Sequence, residues 1–136
     1  MNTLVVYYSY TGGTKVLAVD FAEKESAETL EILDIKKTGK VKAYTAGCFA
    51  SIKGKSWEIQ PISTDLSGYD RFVLFAPIWA GNVPPAVNAF LSVLPSGKNV
   101  AVKAVSGSGK SGCENKIKGI LKEKGCELES FENIKS

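Results

Sequence analysis

Leu4-Val5-Val6-Tyr7-Tyr8-Ser9-Tyr10-Thr11-Gly12-Gly13-Thr14 is the stretch whose reading decides the fold. The unbroken apolar and aromatic run before Ser9 predicts a strand buried on both faces, as at the centre of a parallel sheet. A helical pattern begins near Lys15, so the strand passes into a helix through small and hydroxylated residues. Such a junction builds an anion site. The first N–H groups of a helix lack intrahelical acceptors, and the helix dipole places partial positive charge there. Gly12 and Gly13 let the backbone approach a ligand closely, while Ser9, Thr11 and Thr14 add hydroxyl donors. Neutral groups alone would then hold a phosphate. The plainer reading has Thr14 capping the helix and the glycines turning the chain. Three hydroxyls around two glycines exceed what a cap requires.

Outward from this stretch, strand and helix patterns alternate. The first strand is predicted over residues 3–8 and the first helix over 13–24, with Leu17, Ala18, Phe21 and Ala22 as its apolar stripe. A second strand is predicted over 29–35. The long connection over 36–69 carries Val41, Tyr44, Cys48, Phe49 and Ile52 at helical spacing, and Gly54 and Pro61 break the rest. The apolar run 72–76 is a third, central strand. Pro84-Pro85 opens a helix whose Val87, Phe90, Leu91 and Leu94 point inward, and Pro95-Ser96-Gly97 ends it. Residues 100–105 form the fourth strand. Ser111-Gly112-Cys113-Glu114 has capping-box spacing ahead of a last helix with Ile117, Ile120 and Leu121 inward. Gly125 closes that helix, and 126–131 reads as an edge strand. The expectation is one α/β domain over residues 1–136, a doubly wound three-layer sandwich around a five-stranded parallel sheet.

Composition narrows the chemistry. The 136 residues are 44% hydrophobic and 23% charged, as in an ordinary soluble protein. There is no histidine, which excludes Ser-His-Asp and Cys-His catalysis and removes the commonest metal ligand. Difficult chemistry would fall to a cofactor. Cys48, Cys113 and Cys126 lack C-x-x-C spacing and read as free thiols in a reducing cytoplasm. No run is long and apolar enough to span a membrane, and no signal-peptide pattern opens the chain. Net charge is +3, yet Lys36, Lys37, Lys40, Lys42, Lys53 and Lys55 form a run without an acid. That cluster is a solvated face or an attractor of anionic partners. No nucleic-acid module is recognisable.

In doubly wound sheets, ligands sit beyond the carboxyl ends of the strands where strand order reverses. The loops at 9–14, 77–83 and 106–112 should meet there. In Pro77-Ile78-Trp79-Ala80-Gly81-Asn82, the indole could lie against a planar heterocycle, and the small residues let the backbone reach its rim. Alternatively Trp79 packs over the start of the Pro84-Pro85 helix. Ala104 to Ser111, which contains Ser106-Gly107-Ser108-Gly109-Lys110, fits a relaxed phosphate-loop pattern with Ala104 in place of its first glycine, but it follows a late strand with no magnesium-binding aspartate in view. It reads better as a flexible, donor-rich loop meeting the polar edge of the same flat ligand.

At these residues the chain resembles a family. Ser9-Tyr10-Thr11-Gly12-Gly13-Thr14 is similar to the phosphate loop of the flavodoxins. Ala76-Pro77-Ile78-Trp79-Ala80-Gly81 followed by Pro84-Pro85-Ala86, with Leu66-Ser67-Gly68-Tyr69-Asp70 before the third strand, resembles a branch with a tryptophan flavin loop. The resemblance covers essentially the whole chain and suggests the short form of the family. It implies strand order 2-1-3-4-5 and FMN as cofactor. It further implies that Ser9, Thr11, Gly12, Gly13 and Thr14 hold the phosphate, with Tyr10 nearby. Pro77, Ile78, Trp79, Ala80, Gly81 and Asn82 would form the flavin loop, with the indole over one flavin face. Ser106, Gly107, Ser108 and Gly109 would meet the pyrimidine edge. Two departures stand out: the third loop lacks the tyrosine that many flavodoxins place against the flavin, and the chain is basic where flavodoxins are acidic. The expected function is electron transfer between cytoplasmic redox partners by a monomer or weak dimer, without nucleic acid or membrane. Alternatives are an FMN-dependent NAD(P)H:quinone-type reductase and a non-redox phosphate-binding module.

Overall fold

The apolar runs become the centre of one sheet because neither face of a central parallel strand meets water. A computed structural model of the chain describes residues 2–9, 12–33, 59, 62, 64–79 and 81–135. Its strands are β1 (Thr3–Tyr7), β2 (Glu28–Glu31), β3 (Arg71–Pro77), β4 (Asn99–Ser106) and β5 (Glu127–Lys135). They pair in parallel in the order β2-β1-β3-β4-β5. The helices are α1 (Gly13–Glu25), α2 (Pro85–Ser92) and α3 (Glu114–Glu123). The expected central helix pattern at 41–52 and the lysine cluster at 36–55 lie outside the described residues, as do Tyr10, Thr11 and Ala80.

Alternate residues of each strand feed two cores. Leu4, Val6, Phe72, Leu74, Val100 and Val102 pack beneath α2 and α3, which contribute Val87, Phe90, Leu91, Ile117 and Leu121. Val5, Tyr7, Val73, Phe75, Ala101 and Val105 pack beneath α1 with Ala18 and Ala22. The result is three layers. Long charged side chains also lie across the sheet on the α1 side: the Arg71 guanidinium grips Glu129 at 2.7 Å, and the Lys103 ammonium sits 5.4 Å from the ring centroid of Phe21 on α1. Their aliphatic stems cover apolar surface while the charges find partners.

Two expected boundaries need correction. The edge strand runs to Lys135 rather than ending near residue 131. A register shift opposite Val100 and Ala101 leaves Glu129 as the extra residue, since Val100 pairs with Leu128 and Ala101 with Ser130. Leu128 and Phe131 therefore pack on the same core although they are an odd number of residues apart. A bulge breaks the period-2 pattern on which strand recognition rests. The capping box at Ser111 does not form either. Cys113 occupies the N-cap of α3 without a side-chain cap bond, and the Ser111 hydroxyl donates to Asn133 Oδ1 at 2.7 Å.

Candidate functional site

β1 has β2 on one side and β3 on the other, so strand order reverses between β1 and β3. The loops leaving the carboxyl ends of these strands border the crevice where such sheets bind ligands. The Tyr8 amide donates to the Phe75 carbonyl at 3.2 Å, and the Ile78 amide to the Val105 carbonyl at 2.9 Å. Chain exits from β1, β3 and β4 are thereby held side by side.

The first loop leaves the start of α1 open to an anion. Gly12 stands at the N-cap in the left-handed region at φ 97°, where glycine carries no Cβ penalty. Its amide donates to Ser9 Oγ at 2.9 Å. No side chain caps the helix, and no acid lies in its first turn. The plainer reading of Thr14 as a cap is therefore not what forms. Thr14 sits in the first turn, the second residue of α1, with only 6% of its surface exposed. Among the described residues its hydroxyl meets no hydrogen-bond partner. A buried hydroxyl left alone costs about 1–3 kcal/mol, and here it stands beside helix amides that also lack intrahelical acceptors. An anion bound at this end of α1 would satisfy both.

The second loop is a tight turn. Trp79 and Asn82 exchange backbone hydrogen bonds at 2.8 and 3.1 Å, and Gly81 takes φ 82° between them. Ala80 lies outside the described residues, and Pro77 and Ile78 are half-buried. The indole is turned inward. Trp79 is 4% exposed and belongs to the core under α2 and α3, edge-on to Tyr8 with ring centroids 6.0 Å apart. The energetic reason is plain: burying an aromatic side chain of about 200 Å² is worth roughly 5 kcal/mol, against on the order of 1 kcal/mol for stacking. Thus Trp79 takes the alternative stated above, a packing role beside the start of α2. Sequence reading passed over Tyr8, although its parity with Leu4 and Val6 places it on that same face.

The third loop curls on itself rather than offering its hydroxyls outward. Ser106 Oγ accepts from the Lys110 amide at 3.1 Å and donates to the Lys110 carbonyl at 3.1 Å. Ser108 Oγ makes longer contacts with the same residue. Gly109 takes φ 71° against the end of β5, where an added Cβ would stand 3.1 Å from Lys135 Cβ. Gly107 and Ser108 are exposed. The Gly112 amide donates to the Gly81 carbonyl at 3.3 Å, which ties the second and third loops together. The second and third loops are thus joined, and Tyr8, at the end of β1 just before the first loop, meets Trp79 of the second.

Cys113 lies beneath this junction, 1% exposed and free. Burial pushes its thiol pKa up, against smaller opposing effects from Ser111, nearby backbone groups and Lys116. A thiol raised in the folded state ionises first in the unfolded chain, so its contribution to stability is complete below the unfolded pKa and fades as pH rises through the folded one. We expect Cys113 to resist iodoacetamide at pH 8 in the folded protein and to react within minutes in denaturant. Rapid native alkylation, mapped by peptide mass spectrometry, would contradict its burial.

Two further pockets lie away from the loops. One of about 570 Å³ sits at the opposite edge of the sheet, lined by Asn2, Glu25, Ser26, Glu28, Tyr69 and Arg71 among others. The second, of about 500 Å³, is bordered by Ile59, Ile62, Leu66 and Val93. Among the described residues, no group of side chains could hold a metal ion, and no helix is long and apolar enough to cross a membrane.

Sheet order, layering and the position of the three loops define a flavodoxin-like fold. No protein-family model and no curated protein matches the chain. Solved structures do. A flavoprotein from Lactobacillus acidophilus, determined in complex with FMN, superposes with a TM-score of 0.78 at 20% identity over 96% of this chain and 91% of that one. A candidate flavoprotein from Bacteroides eggerthii gives 0.80 at 20% identity over 96% and 86%. The two-electron reduced flavodoxin of Megasphaera elsdenii gives 0.60 at 16% identity over 97% and 87%.

Proposed function

We propose that the chain binds FMN at the carboxyl edge of its sheet and carries electrons between redox proteins. The carrying observation is the buried Thr14 hydroxyl, without a hydrogen-bond partner among the described residues, in the first turn of a helix whose N-cap is the side-chain-less Gly12; a phosphate there would complete both. The donor set suits a phosphate: Ser9, Thr14 and the first amides of α1 are neutral, and no acid opposes the anion in the first turn. FMN, when bound, would supply the redox chemistry, which the side chains of a histidine-free protein are not called on to perform. The side chains then have three tasks. Ser9 and Thr14 fix the phosphate end. Trp79 and Tyr8 form a rigid wall beneath the second loop. The backbone of Gly81 and the amides of 107 and 108 would present polar groups to a ring edge. The flavodoxin and flavoprotein neighbours support this reading of the cofactor.

Purified protein is expected to be yellow and to release about one FMN per chain on acid treatment, as does a one-site flavoprotein. It should oxidise NADH and NADPH negligibly without a partner reductase. Sustained nicotinamide oxidation with a quinone would instead favour the reductase. Failure to take up FMN at micromolar concentration would leave only a phosphate-binding module.

A further inference from the structure

We propose that α3 and the loop before it form a lysine-rich docking face for an acidic redox protein. The identity of the partner as a redox protein rests on the FMN reading above. Charge in this chain is sorted by position. Residues 106–124 carry Lys110, Lys116, Lys118, Lys122 and Lys124 against Glu114 and Glu123. The other described residues carry six basic groups against ten acidic ones. The remainder of the described surface is thus net negative, and this segment is net positive.

Helix geometry sets where these lysines stand. Ile117 and Leu121 turn into the core, so at 100° per residue Asn115 and Gly119 are outermost, Lys118 and Lys122 stand one turn apart on one flank, and Lys116 stands on the other. Lys110, Lys116, Lys118 and Lys122 are all exposed. The ion pairs among the described residues lie elsewhere, at Lys24–Asp20, Arg71–Glu129 and Lys103–Glu132. Only Lys124 is drawn aside, donating to the Ser92 carbonyl at 2.7 Å.

The patch begins where the candidate site ends, because the Gly112 amide holds this segment to Gly81. At the opposite edge Glu28 and Glu127 open strands, Asp70 precedes one and Glu25 ends α1, beside Arg71, Lys98 and the Lys122–Lys124 end of α3. An approaching anionic surface is therefore drawn to the lysines along this segment, whose Lys110 end adjoins the loops. The residue type also bears on the partner. Lysines are hydrated point charges that steer encounter without the bidentate clamp of arginine, which suits brief docking. The chain's one arginine, Arg71, is already committed to Glu129, and no aromatic residue interleaves the patch as a nucleic-acid surface would favour.

The test measures binding of the full chain, with and without FMN, to an acidic plant-type [2Fe–2S] ferredoxin. Basic cytochrome c, a duplex DNA oligonucleotide and anionic vesicles serve as competing probes. Ferredoxin binding should weaken by about tenfold between 50 and 200 mM salt. The triple variant Lys116→Glu, Lys118→Glu, Lys122→Glu should lose about tenfold or more in affinity, and the matching triple arginine variant should stay within about twofold. All should keep wild-type FMN binding and thermal stability. Charge-insensitive or absent ferredoxin binding overturns the proposal, as does tighter binding of cytochrome c, DNA or vesicles. Because docking is read directly, charge-dependent binding by a chain that takes up no FMN would overturn the cofactor reading and uphold a basic docking face.

Discussion

Replacing Thr14 by aspartate is expected to lower FMN affinity by about 100-fold or more, while leaving the flavin-free protein as stable as before or slightly more so. The two effects have opposite signs for a reason. A carboxylate in the first turn of α1 meets the positive end of the helix dipole, an interaction worth about 0.3–1 kcal/mol, and the native first turn has no acid. On the placement proposed above, that same charge would stand where the phosphate binds. Displacing or repelling the phosphate forfeits charge-assisted hydrogen bonds of about 1.5–3 kcal/mol each, and 1.4 kcal/mol is tenfold in affinity. Thr14→Val is the milder companion. It keeps the shape but removes a hydroxyl that is buried with no partner among the described residues, so the flavin-free protein should gain stability and FMN affinity should fall by about tenfold. Fluorescence titration of FMN and thermal melts of the flavin-free variants read both quantities. Unchanged affinity in Thr14→Asp would place the phosphate elsewhere.

Trp79→Ala is expected to be the most destabilising change near the site, by about 3–5 kcal/mol, because it empties a core position. The indole is 4% exposed and edge-on to Tyr8. For a domain of this size that loss corresponds to a fall in Tm of roughly 10 °C or more. Weakened FMN binding should accompany it as a consequence of a loosened wall, and Trp79→Phe should recover most of both. An unaltered Tm together with lost flavin affinity would reverse this assignment and return the indole to a stacking role. The comparison separates the two functions a tryptophan at a sheet's ligand edge can serve.

Local signals made much of the fold legible. Residues 4–8 and 72–76 are apolar on both parities, and 100–105 are so apart from Lys103, as a doubly covered strand requires; they mark β1, β3 and β4. Pro84-Pro85 and Gly125 punctuate α2 and the end of α3 through fixed or positive φ. Most of the misreadings have a different cause, a contact distant in sequence, and only the third loop was misread for a local one. The bulge at Glu129 is set by pairing with β4, so β5 hid its last residues behind an apparent loss of alternation. Ser111 failed to cap α3 because Asn133, on β5, claims its hydroxyl. The serines of the third loop looked like free donors, yet Ser106 and Ser108 close on the Lys110 backbone. Trp79 could be placed at the correct edge of the sheet from sequence, but its direction depends on how much core surface Tyr8 and α2 offer it.

Backbone amide spectra recorded during titration of the flavin-free protein with FMN test the convergence of the three loops most directly. The account predicts that amides of residues 12–15, 79–82 and 106–112 shift together at a single affinity, while Asn2, Ser26 and Tyr69 at the opposite edge stay in place. No shift at residues 12–15, or shifts gathered around the pocket lined by Ser26 and Tyr69, would contradict it.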